Sequence, residues 1–135
     1  MALIVDASVA IKWFIDEPGS DAARRLWRAE PGLLAPDLIV PEVCNAAWRK
    51  VRPGQSDSAQ AMQIAARLRH GVLELQPTSA LAPRAVELAL QLDHPVYDCF
   101  YLALAEAEKA ELITADRRLE GRLRDTSWSA SVRGL

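Results

Sequence analysis

Four carboxylates lie where strands are predicted to end or helices to begin. Asp6 directly follows the apolar run "LIV", and Asp116 follows "LIT" after one residue. Glu42 lies in "VPEVCNAAW", and Asp98 lies at the head of "DCFYLALAE". Like charges a few Å apart in a partly desolvated pocket repel by several kcal/mol, so four acids in one pocket need a bound cation. The pattern therefore predicts a metal site.

The predicted ligands are all oxygen atoms, which favours a hard cation, Mg²⁺ or Mn²⁺. Zinc is disfavoured, because the two histidines, His70 and His94, have no ligand spacing to another histidine or to a cysteine. We interpret both as surface or structural residues. A cation held by carboxylates can activate a water molecule and screen the charge that develops on a phosphate. The predicted chemistry is hydrolysis of a phosphodiester bond.

The elements that position these acids alternate between strands and helices. Strands are predicted at 3–5 and 112–114, and more weakly at 33–35 and 72–75. Apolar residues recurring three and four apart predict helices over 8–16, 21–29, 37–52, 57–69, 80–92 and 97–109. Ser20 and Ser56 are predicted N-caps. This alternation favours an α/β fold with a mostly parallel sheet and helices on both faces, in which Asp6 and Asp116 emerge at the edge where ligands collect.

Composition places the chain among single globular domains. Its 135 residues, half of them hydrophobic and a quarter charged, suit one domain over residues 1–135. The formal net charge of −2 means that any nucleic-acid contact must be local. Cys44 and Cys99 fall in apolar helical patterns, which indicates core residues in a reducing compartment. The N-terminus lacks the basic region of a signal peptide, so we expect a cytoplasmic protein without a membrane span.

The motifs around the acids resemble those of PIN-domain ribonucleases and, in size and motifs, the VapC toxins of bacterial toxin–antitoxin pairs. The resemblance covers essentially the whole chain and is carried by "VDASVAIKWF", "PEVCNAAW", "YDCFYLALAE" and "LITAD". It implies a PIN-like α/β/α sandwich with a small parallel sheet. It also implies a set of metal-binding and catalytic acids, Asp6, Glu42, Asp98 and Asp116. Supporting polar residues are implied at Ser8, Asn45 and Thr114.

The same resemblance implies a function and partners. The expected protein is a Mg²⁺-dependent endoribonuclease toxin, with Mn²⁺ as a substitute, that is neutralised by a cognate VapB-like antitoxin. A homodimer is also implied, and an apolar face near Ile39, Val43 and Trp48 is predicted as exposed surface. The number of cations, one or two, and the identity of the RNA stay open.

The arginines nearest in sequence to the predicted pocket, Arg117, Arg118 and Arg122, are predicted phosphate contacts. Eighteen acidic residues include the four site acids, which leaves fourteen against sixteen basic residues. A pocket filled with metal would therefore no longer repel RNA. Runs of charge are often only solvated faces, and that alternative stays open.

Two other functions also stay open. Asp6 could itself be a nucleophile in phosphoryl transfer, although Ser8 stands where hydrolases of that kind carry a second Asp. A binding module could keep the fold without catalysis, although crowded carboxylates bring no benefit to a mere scaffold. Taken singly, Asp6 and Asp116 could be N-caps, and Asp98 and Glu42 could be first-turn acids that suit the helix dipole.

Overall fold

A computed structural model describes residues 2–29, 32–71 and 73–135. Within these residues the strands are β1 (Leu3–Val5), β2 (Leu34–Pro36), β3 (Glu74–Gln76), β4 (Glu111–Thr114) and β5 (Val132–Gly134). The α-helices of the same residues are α1 (Ala7–Phe14), α2 (Ser20–Ala29), α3 (Ile39–Val51), α4 (Ser58–Leu68), α5 (Thr78–Leu92), α6 (Val96–Glu108) and α7 (Arg117–Leu123). A short 3-10 helix covers Ser127–Ala130.

The described strands form one sheet in the order β3-β2-β1-β4-β5, and each neighbouring pair is parallel. Ile4 of β1 pairs with Leu34 on one side and with Leu112 on the other. Ile4 and Val5 are both fully buried. Because successive side chains of a strand point to opposite faces, both faces of the sheet are covered. The predicted α/β/α fold with a parallel sheet is confirmed.

The direction in which strands are added reverses between β1 and β4. β1 is followed outward by β2 and β3, whereas β4 lies on the other side of β1 and is followed by β5. Open parallel sheets bind ligands outside the carboxyl ends of the strands at such a reversal. Asp6 follows β1 and Thr114 ends β4, so the candidate site lies at this point of the sheet.

The predicted elements are present with small shifts. All six predicted helices are found, and each end lies within two residues of its prediction. β2 and β3 begin one and two residues later than predicted, and Val72 of the predicted third strand lies outside the described residues. β5 was not predicted. It is a short edge strand whose sequence, "VRG", carries little apolar pattern and which forms by pairing with β4.

Both predicted serine N-caps are wrong. Ser20 is buried in the first turn of α2, where its hydroxyl donates to the Ile15 carbonyl oxygen (2.7 Å) and accepts from the Glu17 amide (3.0 Å). The cap of α4 is Asp57 instead of Ser56, and its carboxylate accepts from an amide of the first turn. A carboxylate suits the positive end of a helix, whereas the Ser20 hydroxyl closes the loop between α1 and α2.

The apolar surface predicted on α3 is only partly exposed. Ile39 and Val43 are fully buried, so their assignment to the surface is wrong. Trp48 is 70% exposed and Met62 of α4 is 71% exposed. Together they line an open, mainly apolar groove between α3 and α4. This groove is the exposed apolar surface next to the helix that carries Glu42.

Cys99 is a core residue, as predicted, whereas Cys44 lies at the edge of the core and lines the groove of Trp48 and Met62. Both are free thiols, with Cys99 buried and Cys44 half-buried. In the described part of the chain, no helix has both the length and the apolar character needed to cross a membrane.

Candidate metal centre

Asp6 lies between the end of β1 and the start of α1 and is the most buried of the four acids. Its Oδ1 caps α1 by accepting from the Val9 amide (3.2 Å) and also accepts from the Ser8 hydroxyl (2.5 Å). Its Oδ2 accepts from the Thr114 hydroxyl. Asp6 is only 6% exposed. Desolvation outweighs these hydrogen bonds and raises the pKa of Asp6 from 3.8 to about 6. Asp6 is therefore both the N-cap of α1 and a carboxylate whose charged form is disfavoured by burial.

Two backbone amides direct the hydroxyl protons onto Asp6. The Ala115 amide donates to Ser8 Oγ (2.9 Å), and the Asp116 amide donates to Thr114 Oγ1 (3.0 Å). Each hydroxyl has one proton, and accepting from an amide leaves that proton free to point at the carboxylate. The structure thus places Ser8 and Thr114, the predicted supporting residues, directly on Asp6.

Glu42 and Asp98 lie in the first turns of α3 and α6, near enough to Asp6 for the charges to interact. Burial raises the pKa of Glu42, and the charges of Asp6 and Asp98 raise it further, while a hydrogen bond from Tyr101 opposes the shift. The charge of Asp98 also contributes to the raised pKa of Asp6. These three carboxylates therefore repel one another in a partly buried place.

Asp116 lies on the α7 side of the same site. Its Oδ1 caps α7 by accepting from the amides of Arg118 (2.9 Å) and Leu119 (3.3 Å). Asp116 and Asp98 line a common open cleft of about 660 Å³. Its backbone amide is joined through the Thr114 hydroxyl to Asp6. The structure therefore brings Asp116 to the cleft that also contains Asp98.

The four acids keep oxygen atoms that a cation could use. Among the described residues, no hydrogen bond reaches Asp98 Oδ1, Glu42 Oε2 or Asp116 Oδ2, while the other oxygen of each is held by the protein. Asp6 uses three of the roughly four acceptor positions of a carboxylate. Within the same residues, no lysine or arginine forms an ion pair with any of the four.

This donor set fits a hard divalent cation. It consists of oxygen atoms and carries negative charge with which no lysine or arginine of the described chain pairs. No three potential ligands among the described residues already converge on one ion. Ligation therefore requires some of the side chains to turn.

The same geometry disfavours Asp6 as a nucleophile. A nucleophilic carboxylate needs an oxygen that a phosphorus atom can approach. Asp6 is buried, and both of its oxygens already accept hydrogen bonds from the protein. Phosphoryl transfer through Asp6 is therefore the weaker of the two enzymatic hypotheses.

Residues 3–122 match the sequence profile of the PIN domain. The chain belongs to the PIN-domain family. Ribonuclease VapC3 of Pyrobaculum aerophilum is 32% identical over 121 residues, which are 88% of this chain and 92% of that protein. Ribonuclease VapC9 of Mycobacterium tuberculosis is 34% identical over 120 residues, 87% of each chain. A solved toxin–antitoxin complex from Klebsiella pneumoniae matches with a TM-score of 0.69 at 20% identity, over 97% of this chain and 95% of the other. The predicted family is confirmed.

Other residues of this PIN domain that were predicted to belong to the site lie at the edge of the site. Asn45 is exposed, one helical turn after Glu42 on α3. Arg117 and Arg118 are exposed and line the cleft of the two aspartates. Their contact with RNA stays a prediction.

Arg122 has a partner within the protein. Its Nη2 donates to the carbonyl oxygens of Leu92 (3.3 Å) and Asp93, in the turn between α5 and α6. The structure therefore gives this arginine a role in holding a turn, and its predicted phosphate contact stays untested.

Two side chains that form hydrogen bonds with the site acids of this PIN domain were not predicted from the sequence. The buried Tyr101 donates its hydroxyl to Glu42 Oε1 (2.6 Å). His94 Nε2 lies 2.6 Å from Asp98 Oδ2, so His94 is in contact with a candidate ligand, whereas His70 is exposed. The spacing of four between His94 and Asp98 near a helix start was a readable signal. The separation of 59 residues between Tyr101 and Glu42 was not.

Proposed function

We propose that this PIN domain is a metal-dependent endoribonuclease and the toxin of a toxin–antitoxin module. The observation that carries the proposal is the buried Asp6 at the strand reversal, whose charge interacts with those of Glu42 and Asp98 while no lysine or arginine of the described chain pairs with any of the three. Relatives named ribonucleases, similar over nearly the whole chain, support RNA as the substrate.

The four acids form the proposed metal site, and neighbouring residues assist them. Asp6, Glu42, Asp98 and Asp116 would hold Mg²⁺, with Mn²⁺ as a substitute. When bound, the cation supplies an activated water molecule and screens the charge that develops on the phosphate. Ser8 and Thr114 orient Asp6 and favour its ionised form by donating to it. Arg117 and Arg118, at the rim of the cleft, attract the RNA backbone.

One assay separates the three functions. The protein is freed of metal with a chelator and incubated with mixed RNA and with a phosphatase substrate, with and without Mg²⁺ or Mn²⁺. Metal-dependent cleavage of RNA supports the proposal. Hydrolysis of the phosphatase substrate alone would favour phosphoryl transfer, and inertness toward both would favour a binding module.

Mg²⁺ or Mn²⁺ is expected to raise the melting temperature of the metal-free protein. A ligand that binds only the folded state stabilises it by mass action, by about 2.7 kcal/mol at a hundred times its Kd. Differential scanning fluorimetry at matched ionic strength measures the effect, with Asp98→Asn as the control that should respond less. An unchanged melting temperature at millimolar metal would count strongly against the site.

The proposal includes an antitoxin, since an open nuclease site would damage the cell that makes it. The related fold in a toxin–antitoxin complex supports a VapB-like partner. A cytoplasmic location and a homodimer belong to the same proposal. The apolar groove of Trp48 and Met62 lies along α3, the helix that carries Glu42, and suits an amphipathic segment of the antitoxin.

An antitoxin arginine is expected to reach the acids. Its planar guanidinium can bridge two carboxylates and exclude metal. An exposed ion pair is worth only about 0–1 kcal/mol, so the apolar segment must supply most of the affinity. Co-expression with a candidate VapB-like antitoxin, followed by cleavage assays before and after changing its arginine to alanine, checks this. A complex that cleaves RNA as fast as the free toxin would contradict it.

A further inference from the structure

His94 is held against a candidate metal ligand. Its side chain is 11% exposed, and Nε2 lies 2.6 Å from Asp98 Oδ2. An ionised carboxylate can only accept hydrogen bonds, so the imidazole must donate from Nε2. This bond occupies one oxygen of Asp98 and leaves Oδ1 without a hydrogen bond from the described residues.

The turn that carries His94 is itself fixed. Asp93 ends α5 in the left-handed conformation (φ 50°), and the His94 amide donates back to the Ala89 carbonyl oxygen (3.2 Å). Pro95 follows and precedes α6, which restricts the backbone further. The position of the imidazole is therefore set by the backbone as well as by its bond to Asp98.

Arg122 joins this turn to α7. Its Nη2 donates to the carbonyl oxygens of Leu92 and Asp93. The N-cap of α7 is Asp116, which is itself a candidate ligand. Through Arg122 the same helix also holds the turn next to Asp98, a second candidate ligand. The cleft between the turn and α7 is lined by His94, Asp98, Asp116 and Arg122, among others.

We propose that His94 is a positioning residue for the cation site: by donating to Asp98 Oδ2 it fixes the orientation in which Oδ1 faces the cation, and Arg122 holds the turn that carries it. This inference rests on the proposed metal-dependent function. Hydrogen-bond partners behind metal ligands commonly change metal affinity or activity by about 10–100-fold when they are removed. A histidine that merely filled space beside a helix start would have no such effect.

Two polar variants separate positioning from packing. The amide nitrogen of glutamine in His94→Gln can reach the position of Nε2, whereas that of asparagine in His94→Asn stops near the position of Nδ1. Mn²⁺ affinity is measured without RNA, from the electron paramagnetic resonance signal of the free ion, and the melting temperature of each metal-free variant is recorded. His94→Asn should bind Mn²⁺ about 10–100-fold more weakly, while His94→Gln should keep most of the affinity. His70→Asn, at the exposed histidine, is the matched control and should match the wild type.

Arg122→Ala tests the second part of the inference. Because Arg122 acts through the turn, its removal should weaken Mn²⁺ binding by less than His94→Asn does, and the absence of RNA from the assay excludes a phosphate contact as the cause. An unchanged affinity would remove Arg122 from the proposal.

The remaining outcomes are distinguishable. If the wild type does not bind Mn²⁺, the proposed metal-dependent function fails, and this inference fails with it. If the wild type binds Mn²⁺ and both His94 variants bind equally well, or lose affinity equally, the Nε2 donor has no positioning role and only this inference is overturned.

Discussion

Asp98→Asn is expected to abolish RNA cleavage and to leave the fold intact. Asparagine keeps the shape of aspartate at the first turn of α6, and its carbonyl oxygen can still accept from His94. The variant loses the charge that holds the cation beside Asp6 and Glu42. Loss of one preorganised electrostatic contribution typically lowers kcat by roughly 10²–10³-fold, and we expect at least the lower end of that range.

The matched control for this prediction is Asp125→Asn. Asp125 is exposed, follows α7, and carries the same charge. Cleavage of a mixed RNA substrate and the circular dichroism melting curve are measured for both variants. If Asp98→Asn cleaved RNA at the wild-type rate, Asp98 would be only an acid that suits the start of a helix.

The second large effect is on stability. Asp6→Asn is expected to remove cleavage and, in the metal-free protein, to remove the loss of stability that the wild type shows as the pH rises from about 4 to 6. The pKa of Asp6 is raised from 3.8 to about 6 in the folded state, chiefly by desolvation. Between these pH values the unfolded chain loses its proton and the folded chain keeps it, so stability falls as the pH rises. A shift of this size corresponds to about 3 kcal/mol, lost between roughly pH 4 and 6 and absent in the variant.

Denaturant unfolding of the wild type and of Asp6→Asn, in chelator at pH 4 and at pH 7, measures this effect. The difference in the free energy of unfolding should grow from pH 4 to pH 7 in favour of the variant, by about 2.5 kcal/mol. Asparagine remains a good N-cap for α1, so the cap itself is not lost. If the difference in the free energy of unfolding did not change with pH, folding would not raise the pKa of Asp6.

The positions of Asp6 and Asp116 could be predicted from local sequence. An apolar run with β-branched residues followed by an acid is typical of a buried parallel strand, and the ends of parallel strands share one edge. β1 and β4 are neighbours in the sheet and have this pattern. Local sequence patterns are therefore sufficient to locate this edge of the sheet.

The contacts behind the acids could not be predicted in the same way. Tyr101 and Glu42 meet only because the fold brings α6 next to the start of α3, and no local pattern records such a contact. The same limit explains Ile39 and Val43, whose apolar character does not tell which face of α3 is covered. Ser20 had the residue type of a cap, but its hydroxyl found partners in the preceding loop.

The most direct test of the central claim is RNA cleavage in water enriched in oxygen-18, after removal and restoration of Mg²⁺. The substrate is a mixture of transfer, ribosomal and messenger RNA, and mass spectrometry reads the phosphate at the new ends. A cation-activated water predicts no cleavage in chelator, recovery with Mg²⁺, and one oxygen-18 atom in each new terminal phosphate. Cleavage that persists in chelator, or that leaves 2′,3′-cyclic phosphates without the label, would contradict the account.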